Sequence, residues 1–236
     1  MIIKKMAERT ELQKTHTREH SLLYGSIWHD SDYKMIDELW GYACKNFLVL
    51  KEANSNRLVG WYDLDELDKL YKWVIENLNK SPDFYTLAKK RFYQYLNPMI
   101  PYLKKEKRIT TFKEFKEYYN NWLYWWSPMD TFFLIPEFDI PEDTKKEALK
   151  IREETQEYTG YLDEPFLEFF IEKFPEYKEL AMLIHPNELL ELEHQKLTET
   201  EIKNIRKRES GCVIFRDKIV LLDDLEEELS KANLIM

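Results

Sequence analysis

Apolar residues recur at three- and four-residue spacing along most of this chain, the period of amphipathic helices. Roughly Ala7 to Trp28 reads as a first helix anchored by Leu12, Leu23 and Ile27. Ile36, Leu39, Trp40, Ala43, Phe47 and Leu50 form the next stripe, behind a cap at Ser31 or Asp32. Leu64, Leu67, Tyr71, Val74 and Leu78 mark a helix starting near Asp63. Ser81-Pro82 opens another that runs to about Leu96 and ends in the Pro98 and Pro101 region. Thr111-Phe112-Lys113-Glu114 is a capping box, in which hydroxyl and carboxylate each satisfy a backbone amide of the first turn. The helix behind it carries Phe115, Tyr119, Trp122 and Trp126, and Ser127-Pro128 is expected to stop it. Phe132 to Pro136 then reads as a short extended piece.

Further helices are predicted over Glu142 to Tyr158 and Leu162 to Phe174. Short ones follow Pro175 and Pro186, and another opens at Thr198. Near the C-terminus the period changes. Cys212-Val213-Ile214-Phe215 and Ile219-Val220-Leu221-Leu222 flank Arg216-Asp217-Lys218, the pattern of a β-hairpin, and an acidic helix starts at Asp223 or Asp224. The expected fold is mainly α, a multi-helix domain with a small β-hairpin near the C-terminus. Residues 1–197 would form the helical domain. Residues 198–236 would form a helix, hairpin and terminal helix acting as a linker.

Two of these faces carry polar residues where apolar ones are expected. On the first helix, His16 and Glu19 continue the apolar stripe. On the helix of Glu142 to Tyr158, Arg152 and Thr155 sit beside Ala148 and Ile151. Buried charge is costly unless paired, so a Glu19–Arg152 ion pair, or a cleft lined by both faces, resolves the conflict. His16, Arg18, Glu19, Arg152 and Thr155 are therefore the candidate ligand-binding residues, and an anionic small molecule the candidate ligand.

Composition narrows the classes. Net charge is −9, which disfavours nucleic acid as a partner, and aromatics make up 15% of the chain, which disfavours disorder. The five glycines include no phosphate-binding loop, and no nucleophile elbow or kinase signature set is present. No apolar run is long enough for a membrane span or a signal peptide. Cys44 and Cys212 stand alone, outside metal-ligand spacing. Together these features suggest a cytoplasmic chain with buried thiols and no cofactor. One segment has catalytic spacing. His16-Thr17-Arg18-Glu19-His20 matches H-x-x-E-H, in which two histidines one helical turn apart share a zinc and the glutamate activates its water. A zinc-dependent hydrolase with His16 and His20 as ligands is thus one alternative. A helical binding protein without phosphotransfer chemistry is another.

Several segments, in order, resemble a known family. They are Thr17-Arg18-Glu19-His20-Ser21-Leu22, Trp125 to Met129 with Phe132 to Pro136, Ile151 to Thr155, His185 to Leu190, and Glu201 to Arg208 leading into the hairpin. This order is similar to the helical region preceding the mobile phosphohistidine domain in PEP-utilising enzymes of the phosphoenolpyruvate synthase and pyruvate phosphate dikinase type. The resemblance implies a partial module, not catalytic alone, that acts with a separately encoded mobile-domain protein. No family catalytic residue can be carried over, because none of the five histidines sits in a phospho-acceptor motif.

Overall fold

The computed structural model describes residues 9–34, 39 and 43–236. Residues 9–21 are not helical. β1 (Thr10–Glu11) and β2 (Gln13–Glu19) precede α1 (Leu22–Lys34), so of the helix expected over Ala7 to Trp28 only Leu22 to Trp28 is helical among the described residues, Ala7 and Glu8 lying outside them. Thr10, Thr15 and Thr17 favour extended backbone, and the alternation of half-buried Thr15 and Thr17 with exposed neighbours is a strand period. Ser31 and Asp32 lie inside α1 and are buried, not at a cap.

The expected second stripe is also corrected. Phe47 and Leu50 belong to β3 (Phe47–Lys51), which pairs with β4 (Arg57–Tyr62). Ile36 and Trp40 lie outside the described residues. The helical readings further along hold more closely. α2 (Leu64–Lys80) is capped by Asp63, whose carboxylate accepts the Asp65 and Glu66 amides. α3 (Pro82–Leu96) and the one-turn α4 (Ile100–Leu103) follow.

α5 (Phe112–Leu134) starts at the expected Thr111–Glu114 capping box but does not stop at Ser127-Pro128. Pro128 withholds an N–H from the Tyr124 carbonyl, and a proline inside a helix ordinarily costs ~3 kcal/mol. Burial of Trp122, Trp125, Trp126, Met129 and Phe132 on both sides of the proline offsets that cost. Phe132 to Leu134 are accordingly helical, not extended, and Ile135–Glu137 form a 3-10 turn. α6 (Glu142–Thr155), α7 (Glu164–Lys173), α8 (Pro186–Glu191) and α9 (Glu199–Lys207) complete the helical layer.

The C-terminal hairpin is β5 (Cys212–Phe215) and β6 (Lys218–Leu221), joined through Arg216-Asp217 with Arg216 at positive φ. It does not stand apart. β5 pairs antiparallel with β3, Leu48 opposite Phe215 and Lys51 opposite Cys212. The result is one five-stranded antiparallel sheet in the order β2-β4-β3-β5-β6. Residues 198–236 thus extend the sheet that residues 13–62 begin. α10 (Leu225–Lys231) and β7 (Leu234–Ile235), which pairs in parallel with β1, close the chain.

The fold is mixed α/β, helix-rich, with ten α-helices among the described residues. The sheet has helices on both faces. One face carries Val49, Leu58 and Ile214, and α1 approaches so closely that a Cβ on Gly25 would sit 3.2–3.3 Å from these three side chains. The other face carries Leu12, Leu48, Val213 and Phe215 against Leu229 and Leu234. No described helix is long and apolar enough to cross a membrane.

Candidate functional site

α1 and α5 each present one polar stripe to the core. On α1, Tyr24, Trp28 and Asp32 recur every fourth residue. On α5, Trp126, Met129, Asp130 and Phe133 follow the i, i+3, i+4, i+7 pattern. Both sets therefore lie on single helix faces. They meet around a cavity of about 140 Å³. Leu67, Leu70 and Tyr71 of α2, Tyr62 of β4 and Cys44 complete its walls, and His16 and Arg18 of β2 stand at its exposed mouth.

The cavity is an aromatic box with a carboxylate floor. Trp28 and Trp126 are near-parallel, with centroids 6.3 Å apart, and Tyr24 meets Trp126 edge-on at 5.6 Å. Trp28 Nε1 donates to the Tyr62 hydroxyl at 2.8 Å, and that hydroxyl donates to Asp32 Oδ2. This relay satisfies only one oxygen. Asp32 Oδ1 is buried without a hydrogen-bond partner among the described residues. The Trp126 indole N–H approaches both carboxylates yet meets hydrogen-bond geometry with neither.

Loss of water pushes the Asp32 carboxyl up to about 7, against the opposing pull of the Tyr62, Trp28 and Trp126 donors. Asp130 lies on the cavity wall. Its own desolvation, then repulsion by Asp32, raises it well above the carboxylate range, with Arg18 pulling the other way. Two carboxyls that repel each other across one largely buried pocket cannot both ionise readily, so the pair holds a proton near neutrality. Such a pair can accept hydrogen bonds from a bound donor, or take up and release a proton.

Around the box the other shifts have simple causes. Burial first, then the Arg18 cation, lowers the His16 imidazole, whose ring lies 6.5 Å from Trp28 and 6.4 Å from Tyr62. Burial raises the Cys44 thiol, so it is an unreactive wall residue.

Of the five candidate ligand-binding residues, only His16 and Arg18 reach this cavity. Glu19 is exposed at the end of β2. Arg152 Nη1 donates to the Phe133 carbonyl at 3.2 Å and lies 3.5 Å from Glu137 Oε1, so the expected Glu19–Arg152 pair is replaced by Arg152–Glu137. Thr155 turns inward and donates to the Ile151 carbonyl at 2.6 Å. His16 and His20 occupy a strand and its end, where a four-residue separation spans ~13 Å, not one helical turn. His20 instead stacks on Tyr24 at 3.9 Å and bonds Asp163 Oδ1 through Nδ1 at 3.1 Å. No group of three or more His, Cys, Asp or Glu side chains among the described residues is placed to hold a metal.

Asp32 and Asp130 were the residues that sequence reasoning missed. Their signal was present: each is a lone carboxylate on an aromatic helical stripe. It is hidden because Asp32 reads as a helix cap and Asp130 falls beyond a proline expected to end its helix.

The comparisons with known proteins add no family. No family model matches this chain, and neither a curated protein nor a solved structure matches it.

Proposed function

We propose that this chain binds a small molecule in the cavity between α1, α5, α2 and the sheet. The observation that carries this reading is the incomplete floor. A buried carboxylate oxygen and a buried indole N–H, inside an otherwise well-packed aromatic box, each lack a partner. Leaving such groups unpaired ordinarily costs ~1–3 kcal/mol apiece, so a site that keeps them has use for what they bind. A concave, mostly apolar pocket with a few convergent polar groups is also the usual form of a ligand site. A fragment library screened by ligand-observed NMR tests the reading, repeated on Leu134→Trp, which fills the cavity from its wall. Fragments that bind the wild type and are lost in the filled variant are expected. No binders, or binders indifferent to the filling, would overturn it.

A second reading follows the family resemblance: a module that works with a separately encoded mobile phosphohistidine domain. One observation favours it. Three of the resembling segments converge, Arg18, Trp126, Met129 and Phe133 lining one cavity while Arg152 holds the Phe133 carbonyl. Co-elution of the full chain with a mobile-domain protein from the same cell is expected on this reading. Independent migration of the two at micromolar concentration would count against it.

A further inference from the structure

The cavity is polarised from floor to mouth. Asp32, 2% exposed, offers an unpaired acceptor oxygen at the floor, and Asp130 stands on the adjoining wall, the two holding one proton between them near neutrality. Arg18 stands at the mouth, where its Nη1 donates to the Thr17 carbonyl at 2.9 Å and no carboxylate among the described residues pairs with it. His16 lies beside it with its imidazole lowered, mainly by burial, so the guanidinium is the charge that persists at the mouth. Between the two ends the walls are the faces and edges of Tyr24, Trp28, Trp126 and Phe133.

Each class of ligand meets this arrangement differently. A simple anion would meet the carboxylates at the floor. A simple cation would gain the floor and the aromatic faces, but would give Arg18 no direct partner beyond its longer-range pull on Asp130. A neutral molecule would leave both charges unanswered. A molecule carrying an ammonium at one end and an anionic group at the other satisfies Asp32 Oδ1, the aromatic walls and Arg18 together. Size limits it further, since a cavity of about 150 Å³ holds a benzene-sized body.

We propose that this cavity binds a compact zwitterion of the amino-acid type, its ammonium group at Asp32 and Asp130 and its anionic group at Arg18. The assignment rests on the reading of the cavity as a ligand site. Its bonds are charge-assisted at both ends, roughly twice as strong as neutral ones, and the floor is already held in place by Trp28 and Tyr62.

The test is a matched series titrated into the full chain: α- and ω-amino acids of about two to six carbons, with amines, carboxylates and alcohols of the same lengths. Calorimetry, with tryptophan fluorescence as a second readout, gives each affinity. The best amino acid is expected to bind about tenfold more tightly than its amine, and the amine about tenfold more tightly than the carboxylate or alcohol. Arg18→Gln should erase the first step, and Asp32→Asn the second. Asp130→Asn serves as an independent variant of the pair, and thermal unfolding checks that each variant is folded. A carboxylate or alcohol that binds as tightly as the amino acid overturns the charge assignment while leaving the cavity a ligand site. Binding by none of the four classes also overturns it, and the fragment screen on Leu134→Trp then decides the cavity separately.

Discussion

Tyr62 spends its hydroxyl hydrogen on Oδ2 of Asp32 and leaves Oδ1 of the same carboxylate facing the cavity bare. The bond fixes the carboxylate plane, and the Trp28 indole fixes the phenol from behind at 2.8 Å. Tyr62→Phe removes the middle of this relay, leaving a buried indole N–H and a second carboxylate oxygen unpaired. A loss of ~1–3 kcal/mol in chemical denaturation is expected, larger at alkaline pH, where Asp32 must carry charge without its donor.

The carboxylate pair makes stability depend on pH in a defined direction. Asp32 is held at about 7 in the folded protein by desolvation, above its ordinary value of 3.8. The folded state therefore binds more protons than the unfolded state between about pH 4 and pH 7, and stability from this site falls as pH rises through that window. Burial also holds His185 at about 4, which works in the opposite direction as pH falls below its ordinary 6.5. The difference between wild type and Asp130→Asn isolates the pair, because His185 is common to both. The variant, freed of a buried like charge, should have the higher melting temperature at pH 8, and the gap should close toward pH 5.

Gly60 is a packing requirement of the cavity wall. A Cβ there would stand 2.6 Å from Trp28 Cζ2 and 2.8 Å from Cη2, closer than real contacts allow. Gly60→Ala should drive the indole toward the cavity and cost ~1–3 kcal/mol by overpacking. Calorimetric unfolding gives the cost, and a blue or red shift of tryptophan emission reports the displaced ring.

Far from the cavity, Arg208 and Glu188 tie the end of α9 to the start of α8. The guanidinium forks onto the carboxylate, Nη1 donating to Oε2 at 2.7 Å and to the Leu183 carbonyl at 2.8 Å. Glu188 Oε2 also accepts the His185 amide at 2.9 Å. Removing one partner of a buried pair costs ~3–5 kcal/mol, and the quarter exposure of the Glu188 side chain argues for a value at or just below the bottom of that range. Arg208→Ala should therefore lower stability by ~2–3 kcal/mol. The double variant with Glu188→Ala should fall short of the sum of the singles by about 1 kcal/mol or more, which a double-mutant cycle measures.

Much of the helical layer was legible because its signals are local. Asp63, Thr111 and Thr198 cap helices from their own side chains, and the stripes of α2, α3 and α7 need only their own sequence to show which face is apolar. The β5–β6 hairpin was legible for the same reason. Readings failed where local signals pointed the wrong way. Thr111's helix ignores Pro128, because α1 and α3 bury the residues on both sides of it. His16 and Glu19 looked like a polar stripe on a helix, but with strand period they alternate beside β4, where cross-strand pairing outweighs helical spacing.

The sequence by itself determined the starts of α2, α3, α5 and α9, the closing hairpin and the acidic charge. The tertiary structure alone decided that the stripes carrying Asp32 and Asp130 face each other. α1 and α5 begin 90 positions apart in the chain, at Leu22 and Phe112, and no local rule sets which face of one meets which face of the other. The sheet does so, by drawing β3, β4 and β5 together and pressing α1 down through Gly25 and Gly60. Burial that no single segment could specify then turns Asp32 and Asp130 from two ordinary acids into one proton-sharing floor.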